Sequence, residues 1–184
     1  HAMGCYGENL LLDNGALYYK WLQDVADTQD EEGLIADVAP AYWVVRNKDV
    51  AWGALSVYAT FMLLRRYNDI NAVTQYYPFL QRYMRYLDKN REDGLVPTNC
   101  YGDWCMPPER LDLIHSQDPS RRTDGKLISS AMYYSMLTMM GQMAMTLGIE
   151  PDMMDYDRRQ AKLKEAYNRH FFNAETGCYS NNTV

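Results

Sequence analysis

Asp30-Glu31-Glu32-Gly33-Leu34-Ile35 returns as Arg91-Glu92-Asp93-Gly94-Leu95-Val96, glycine to glycine 61 residues later (94 − 33). A weaker echo is Glu175-Thr176-Gly177-Cys178-Tyr179. Each copy follows a stretch of helical periodicity and leads into a loop. A period of this length fits one helical hairpin plus its loops, and stacked hairpins mean a solenoid or a closed helical toroid.

Outward from the repeat, the periodicity predicts five helices and no convincing run of strands. The first runs from about Asp13 to Gln29, with Leu17, Trp21, Leu22 and Val25 recurring at three and four residues. The second runs from about Val50 to Tyr67, with Asp49 as its N-cap, and is apolar nearly all round, as a helix buried on most sides should be. The third runs from about Val73 to Asn90, unless it starts later with Pro78 in its first turn. The fourth, about Leu127 to Leu147, carries six methionines that read as core filler and stops at Gly148. The fifth starts near Pro151 and ends near Phe172. The links alternate. Those after the second and fourth helices are short and make antiparallel neighbours, whereas Gly33 to Asp49 and Gly94 to Lys126 are long. With two helices per period, every long link emerges at the same end of the stack.

Composition narrows the function. The chain has 184 residues, 47% of them hydrophobic, which suffices for one globular domain with a real core. A net charge of −6 gives no electrostatic footprint for nucleic acid or an anionic membrane. No stretch of about 18 apolar residues is present to span a bilayer. His1-Ala2-Met3 reads as a cloning remnant, and no signal peptide is visible. The 16 tyrosines suit half-wet surfaces such as sugar clefts as well as helix seams. Cys5, Cys100, Cys105 and Cys178 include no CxxC pair, and beyond residue 1 the only histidines are His115 and His170, so no metal site is expected. Cys100 and Cys105 read as ordinary thiols, with a bridge between them as the alternative.

The long links carry the chemistry. The first presents Asp37 with Pro40 and the pair Tyr42-Trp43; the second presents Tyr101-Gly102-Asp103-Trp104; Gly4-Cys5-Tyr6-Gly7-Glu8 adds another carboxylate beside a tyrosine. The apolar face of a sugar ring packs on an aromatic plane, while carboxylates accept bonds from its hydroxyls. Glycoside hydrolysis further needs two carboxyl groups flanking the scissile bond. Singly, Asp37 and Asp103 also read as turn caps and Trp43, Trp52 and Trp104 as core; the repeated carboxylate–aromatic pattern points to a site. Asp112 with His115, and Arg121-Arg122, read as solvated surface groups, and Asp124-Gly125 as a turn. No GxSxG, Walker, HExxH or GxGxxG motif occurs.

The residues also resemble a known family. Gly4-Cys5-Tyr6-Gly7-Glu8 resembles the G-x-x-G-[D/E] motif of the bacterial α-L-rhamnosidase six-hairpin domain. Similar to successive segments of that family are Tyr19-Lys20-Trp21-Leu22, Asp37-Val38-Ala39-Pro40, Ala51-Trp52-Gly53, Tyr77-Pro78, Tyr101-Gly102-Asp103-Trp104, Ser129 to Tyr134, Ala166-Tyr167-Asn168 and Tyr179 to Thr183. The resemblance implies an all-α fold of helical hairpins forming part of an (α/α)6 toroid, with residues 1–184 as a single partial domain. It implies a glycoside hydrolase that removes terminal α-L-rhamnose with inversion and without a cofactor. The family's general acid precedes the G-x-x-G-[D/E] segment and its general base lies beyond Val184, so no catalytic residue is assigned and the segment alone is expected to be inactive. Glu8 matches an acidic position that helps hold the sugar, an auxiliary role at most. Asp103 and Trp104 match an Asp-Trp pair of the pocket, and Trp43 and Trp52 its walls; with Asp37 these six form the expected substrate-binding set. The partners implied are a rhamnose-containing glycan or glycoside, flanking domains of a longer parent, and self-association through exposed helix seams. A bacterial parent follows, with its compartment, periplasmic, secreted or cytoplasmic, left open. Two departures stand out: Cys5 replaces the usual aromatic, and the spacing from Glu8 to Trp21 is short, as though part of a helix were absent. The competing readings are a fragment of another (α/α)6 carbohydrate-active enzyme, and a helical-repeat binding module without catalysis.

Overall fold

The computed structural model describes residues 4–97, 101, 106–121 and 123–179. Six α-helices order the described chain: α1 (Gly4–Leu11), α2 (Gly15–Asp27), α3 (Val50–Tyr67), α4 (Ile70–Lys89), α5 (Gly125–Leu147) and α6 (Glu150–Phe171). They form three hairpins, half the number of a six-hairpin toroid. The sequence pattern predicts only the last five helices. In α1 just Cys5 and Asn9 are buried, too few positions to set up a readable period.

Local chemistry starts and stops the helices where charge and backbone allow. Asp49 caps α3, Asp69 caps α4 and Asp124 caps α5, each side chain accepting from a backbone N–H of the first turn. Asn68 and Gly148, both left-handed, end α3 and α5 and turn the chain straight into the next helix. Of the two starts that Pro78 leaves open for α4, the earlier one holds. Pro78 occupies the interior of α4, not its start. An interior proline costs about 3 kcal/mol. Here Asp69 nucleates the helix upstream, and Tyr76, Tyr77, Phe79 and Leu80 around the proline are all buried, so tertiary packing outweighs the local cost.

The helices lie in two layers. α1, α3 and α5 form one, α2, α4 and α6 the other. The second layer runs parallel and is stitched by polar side chains: Tyr76 donates to the Tyr19 carbonyl at 2.7 Å between α4 and α2, and Tyr77 donates to Asp152 at 3.0 Å between α4 and α6. Further along, Arg159 of α6 reaches Asp88 of α4 at 3.6 Å. Each helix of the first layer is antiparallel to its hairpin partner, so α3 and α5 are parallel to each other and both begin where the long links run. Gly53 lets the layers touch. A Cβ there would overlap the hydroxyl of the fully buried Tyr83.

The repeated glycine turns are real and share one conformation. Gly33, Gly94 and Gly177 have φ of +102°, +83° and +70°. Around Gly94, Glu92 and Leu95 exchange backbone hydrogen bonds at 2.8 Å. Around Gly177 the same closure grows into a hairpin of β1 (Phe172–Asn173) and β2 (Cys178–Tyr179), which the sequence reading missed because two-residue strands show no alternation. Gly33 additionally lies against α4, where a Cβ would sit 2.6 Å from the Arg82 carbonyl oxygen.

Candidate functional site

The two long links meet over the N-terminus of α3. Asp49, only 3% exposed, is the hub. One of its carboxylate oxygens accepts from the Trp52 backbone N–H at 3.0 Å and caps α3; the other accepts from the Tyr101 backbone N–H at 3.0 Å, 52 residues away. Tyr101 then lays its ring on Trp52, centroids 4.8 Å apart and tilted by 39°. Its phenol donates to Asp37 at 3.1 Å and accepts from the Asn47 side chain at 2.7 Å. Asp37 also takes the Asn47 backbone N–H at 3.1 and 3.2 Å. The hydroxyl of Tyr83 lies beneath Gly53.

The electrostatics suit a fixed scaffold. At Tyr101 the Asn47 donor pulls the phenol pKa down, but desolvation, Asp37 and Asp49 together push it up, so it remains a protonated donor at neutral pH. Burial, reinforced by Asp49, Tyr86 and Asp37, raises Tyr83 further. Asp37 and Asp49 each accept one bond from Tyr101 of the second link, and their other bonds hold the Asn47 backbone and the start of α3. The exposed part of this rim is aromatic: Trp52 is 40% exposed beside the tilted Tyr101 ring, and an exposed indole face is of the kind that can pack on the apolar face of a sugar.

The other expected site residues lie as follows. Trp43 belongs to the first link and is strongly exposed, stacked edge-on with Tyr42 at 4.7 Å. The link behind it is tied down by the Trp21 indole N–H on the Ala39 carbonyl at 2.8 Å and by Arg46 on the Thr28 carbonyl. Asp103 and Trp104, like Cys100 and Cys105, lie outside the described residues. Glu8 is not brought to this rim. It accepts from Tyr18 at 2.5 Å on α1, whose neighbour Asn9 accepts from Tyr67 at the far end of α3. α3 has 18 residues, about 27 Å of helix, between Glu8's neighbourhood and Asp49.

The rest of the second link closes on itself. Ser116 and the Gln117 N–H donate to Glu109, and Arg121 pairs with it at 3.3 Å. The Ser116 hydroxyl first, then the backbone N–H groups of Glu109, Gln117 and Asp118, hold the Glu109 carboxyl pKa down, at about 2. Arg110 binds Asp112 and lowers its pKa, so Asp112 forms a surface ion pair; Arg122 lies outside the described residues. Among the described residues, no three His, Cys, Asp or Glu side chains group as a metal site, and no helix is long and apolar enough to cross a membrane.

Sequence reasoning missed Asn47 and the second role of Asp49, and it quoted Tyr101 without a task. Their signal was faint: an N-cap carboxylate has a second oxygen, and Tyr101 heads the carboxylate–aromatic stretch.

Known proteins share this fold. An α-L-rhamnosidase of Streptomyces avermitilis is 30% identical over 132 residues, which are 67% of this chain and 13% of that protein. The structure of an α-L-rhamnosidase from Dictyoglumus thermophilum superposes with a TM-score of 0.81 at 28% identity, over 94% of this chain and 19% of that one. The structure of the Streptomyces avermitilis α-L-rhamnosidase complexed with L-rhamnose gives 0.74 at 25% identity, over 88% and 14%. The chain thus spans less than a fifth of each of these relatives. The model of the bacterial α-L-rhamnosidase six-hairpin glycosidase domain matches residues 1–184, and the chain belongs to that family.

Proposed function

We propose that residues 1–184 are a single partial domain, three hairpins of a six-hairpin glycosidase, and that the protein carrying them removes terminal α-L-rhamnose from a glycan or glycoside with inversion. The observation that carries this reading is the family match along the whole chain; the aromatic rim where the long links meet supports it, as does the L-rhamnose complex of a relative. In this reading Trp52 is the wall on which the sugar packs, Trp43 an outer wall, and Asp103 and Trp104 further contacts. Asp37 serves the site by holding the first link, and Glu8 acts at a distance from the rim. The general acid and base come from parts of the protein outside these residues. Flanking domains and further hairpins would cover the apolar seams. Among them are the exposed Leu10, Leu11 and Leu12 at one side and, at the other, the groove of 220 Å³ between α5 and α6 lined by Tyr134, Leu163, Tyr167 and Tyr179. Self-association of the isolated chain would use the same seams.

The test is hydrolysis of an aryl α-L-rhamnoside by the full-length protein and by the 184-residue chain. Expected are turnover by the former and none by the latter. Turnover by the short chain, abolished by Asp103→Ala, would place the catalytic groups inside it and refute the division of labour. A full-length protein active on other aryl glycosides but inert toward rhamnosides would refute the substrate.

A further inference from the structure

We propose that Tyr101 is a positioning residue: it sets the indole of Trp52 at the angle the sugar meets, and it does so through a clasp made with Asp49 and Asp37. The bonds form a closed circuit. Asp49 holds the Trp52 backbone with one oxygen and the Tyr101 backbone with the other, and the two rings stack to complete the loop. An indole at the first turn of a helix would otherwise rotate about its side-chain torsions; contact with a second ring narrows that choice. The phenol bond to Asp37 fixes Tyr101 in turn, because Asp37 is itself tied to the Asn47 backbone. One residue of the second link therefore registers it against two points of the first. The hub is buried, and each Asp49 oxygen takes one backbone N–H, so the circuit is stiff. Tyr101 itself is only partly buried, which makes its hydroxyl removable without opening the core.

The role of Trp52 as the sugar wall rests on the rhamnosidase reading; the clasp does not. Three variants of the full-length protein separate them. Tyr101→Phe deletes the phenol bond to Asp37 but keeps the ring and the backbone N–H. Asp49→Asn keeps an acceptor for the helix cap while replacing the other with an NH2 that opposes the Tyr101 N–H. Asp37→Ala removes the phenol's acceptor. With an aryl α-L-rhamnoside, Tyr101→Phe and Asp49→Asn are each expected to raise KM by roughly ten-fold, the size expected for one lost bond to a carboxylate, with kcat within about two-fold of wild type. A merely structural role would lower the active fraction and hence kcat, leaving KM alone, and that split would overturn the proposal. Independently of turnover, the Asp37→Ala and Tyr101→Phe effects on the exchange rate of the Tyr101 amide should be non-additive, the double variant matching the worse single one. Additive effects would overturn the clasp even in an active enzyme. Non-additive effects in a protein inert toward rhamnosides would leave the clasp standing and refute the substrate alone.

Discussion

The two long links do the same topological job by different means. The first, residues 28–49, is built into the core over its first half, and Tyr42 to Lys48 run exposed. Leu34, Ile35, Ala36 and Ala39 are buried, Gly33 presses on the α4 backbone, and Trp21 and Arg46 pin the remainder. Among the described residues of the second, within 90–124, the anchors are separate points. Leu95 and Val96 are buried at its base, where the Val96 N–H donates to Ser130 at 3.0 Å. Tyr101 fastens it to the rim, and residues 109–121 close locally on Glu109, leaving Leu111 and Ile114 fully in solvent. A wall sunk in the core can carry fixed aromatic surface. The outer turn of the second link instead presents Leu111 and Ile114 to solvent, where other parts of a larger protein can meet them.

The largest effect that would break this comparison is at the first wall. Gly33→Ala puts a Cβ 2.6 Å from a backbone oxygen at φ +102° and should destabilise the fold by about 3 kcal/mol or more. Gly177→Ala, at φ +70° with open space around it, should cost only about 1 kcal/mol. Denaturant unfolding of both would show whether the shared turn or its docking matters. Next, Ile35→Ala in the first link should cost about 2–5 kcal/mol, against about 0.5 kcal/mol or less for Leu111→Ala in the second, measured in the same way. Equal costs would mean that the second link is as deeply anchored as the first.

The smallest effect concerns pH. The Glu109 carboxyl is held at about 2, below its ordinary 4.5. Because the folded value is depressed, the contribution of this group is complete above pH 4.5 and is lost as pH falls toward 2. A 13C titration of the Glu109 side chain should show a midpoint near 2, with the amides of Gln117 and Asp118 moving in step. A midpoint near 4.5 would mean that the loop closure does not form in solution.

Much of the architecture was legible because it repeats. The apolar girth of α3 and its cap at Asp49 read directly from sequence, and so did the alternation of short and long links. What failed was local reasoning where distant packing decides. Pro78 leaves two starts open for α4, and only the buried aromatics around it decide for the earlier one. α1 is too short and too exposed to declare itself. Of the site, the first link and Trp52 were legible as carboxylate and aromatic neighbours of a common rim. Asp49 was not, because its cap satisfied the local pattern and nothing nearby announces a partner 52 residues on. For Asp37 the sequence shows a carboxylate near aromatics but not the bonds it takes from Asn47 and Tyr101. Glu8 joins the carboxylate–aromatic pattern in sequence as well as by motif, whereas in the fold it accepts from Tyr18.

The most direct test of the joined rim is a calorimetric titration of L-rhamnose into the full-length protein, wild type against Trp52→Ala. We expect saturable binding by the wild type and at least a roughly ten-fold loss in the variant, the scale of removing one aromatic stacking wall. Equal affinity in the two proteins would contradict the assignment of this rim as the place where the sugar sits.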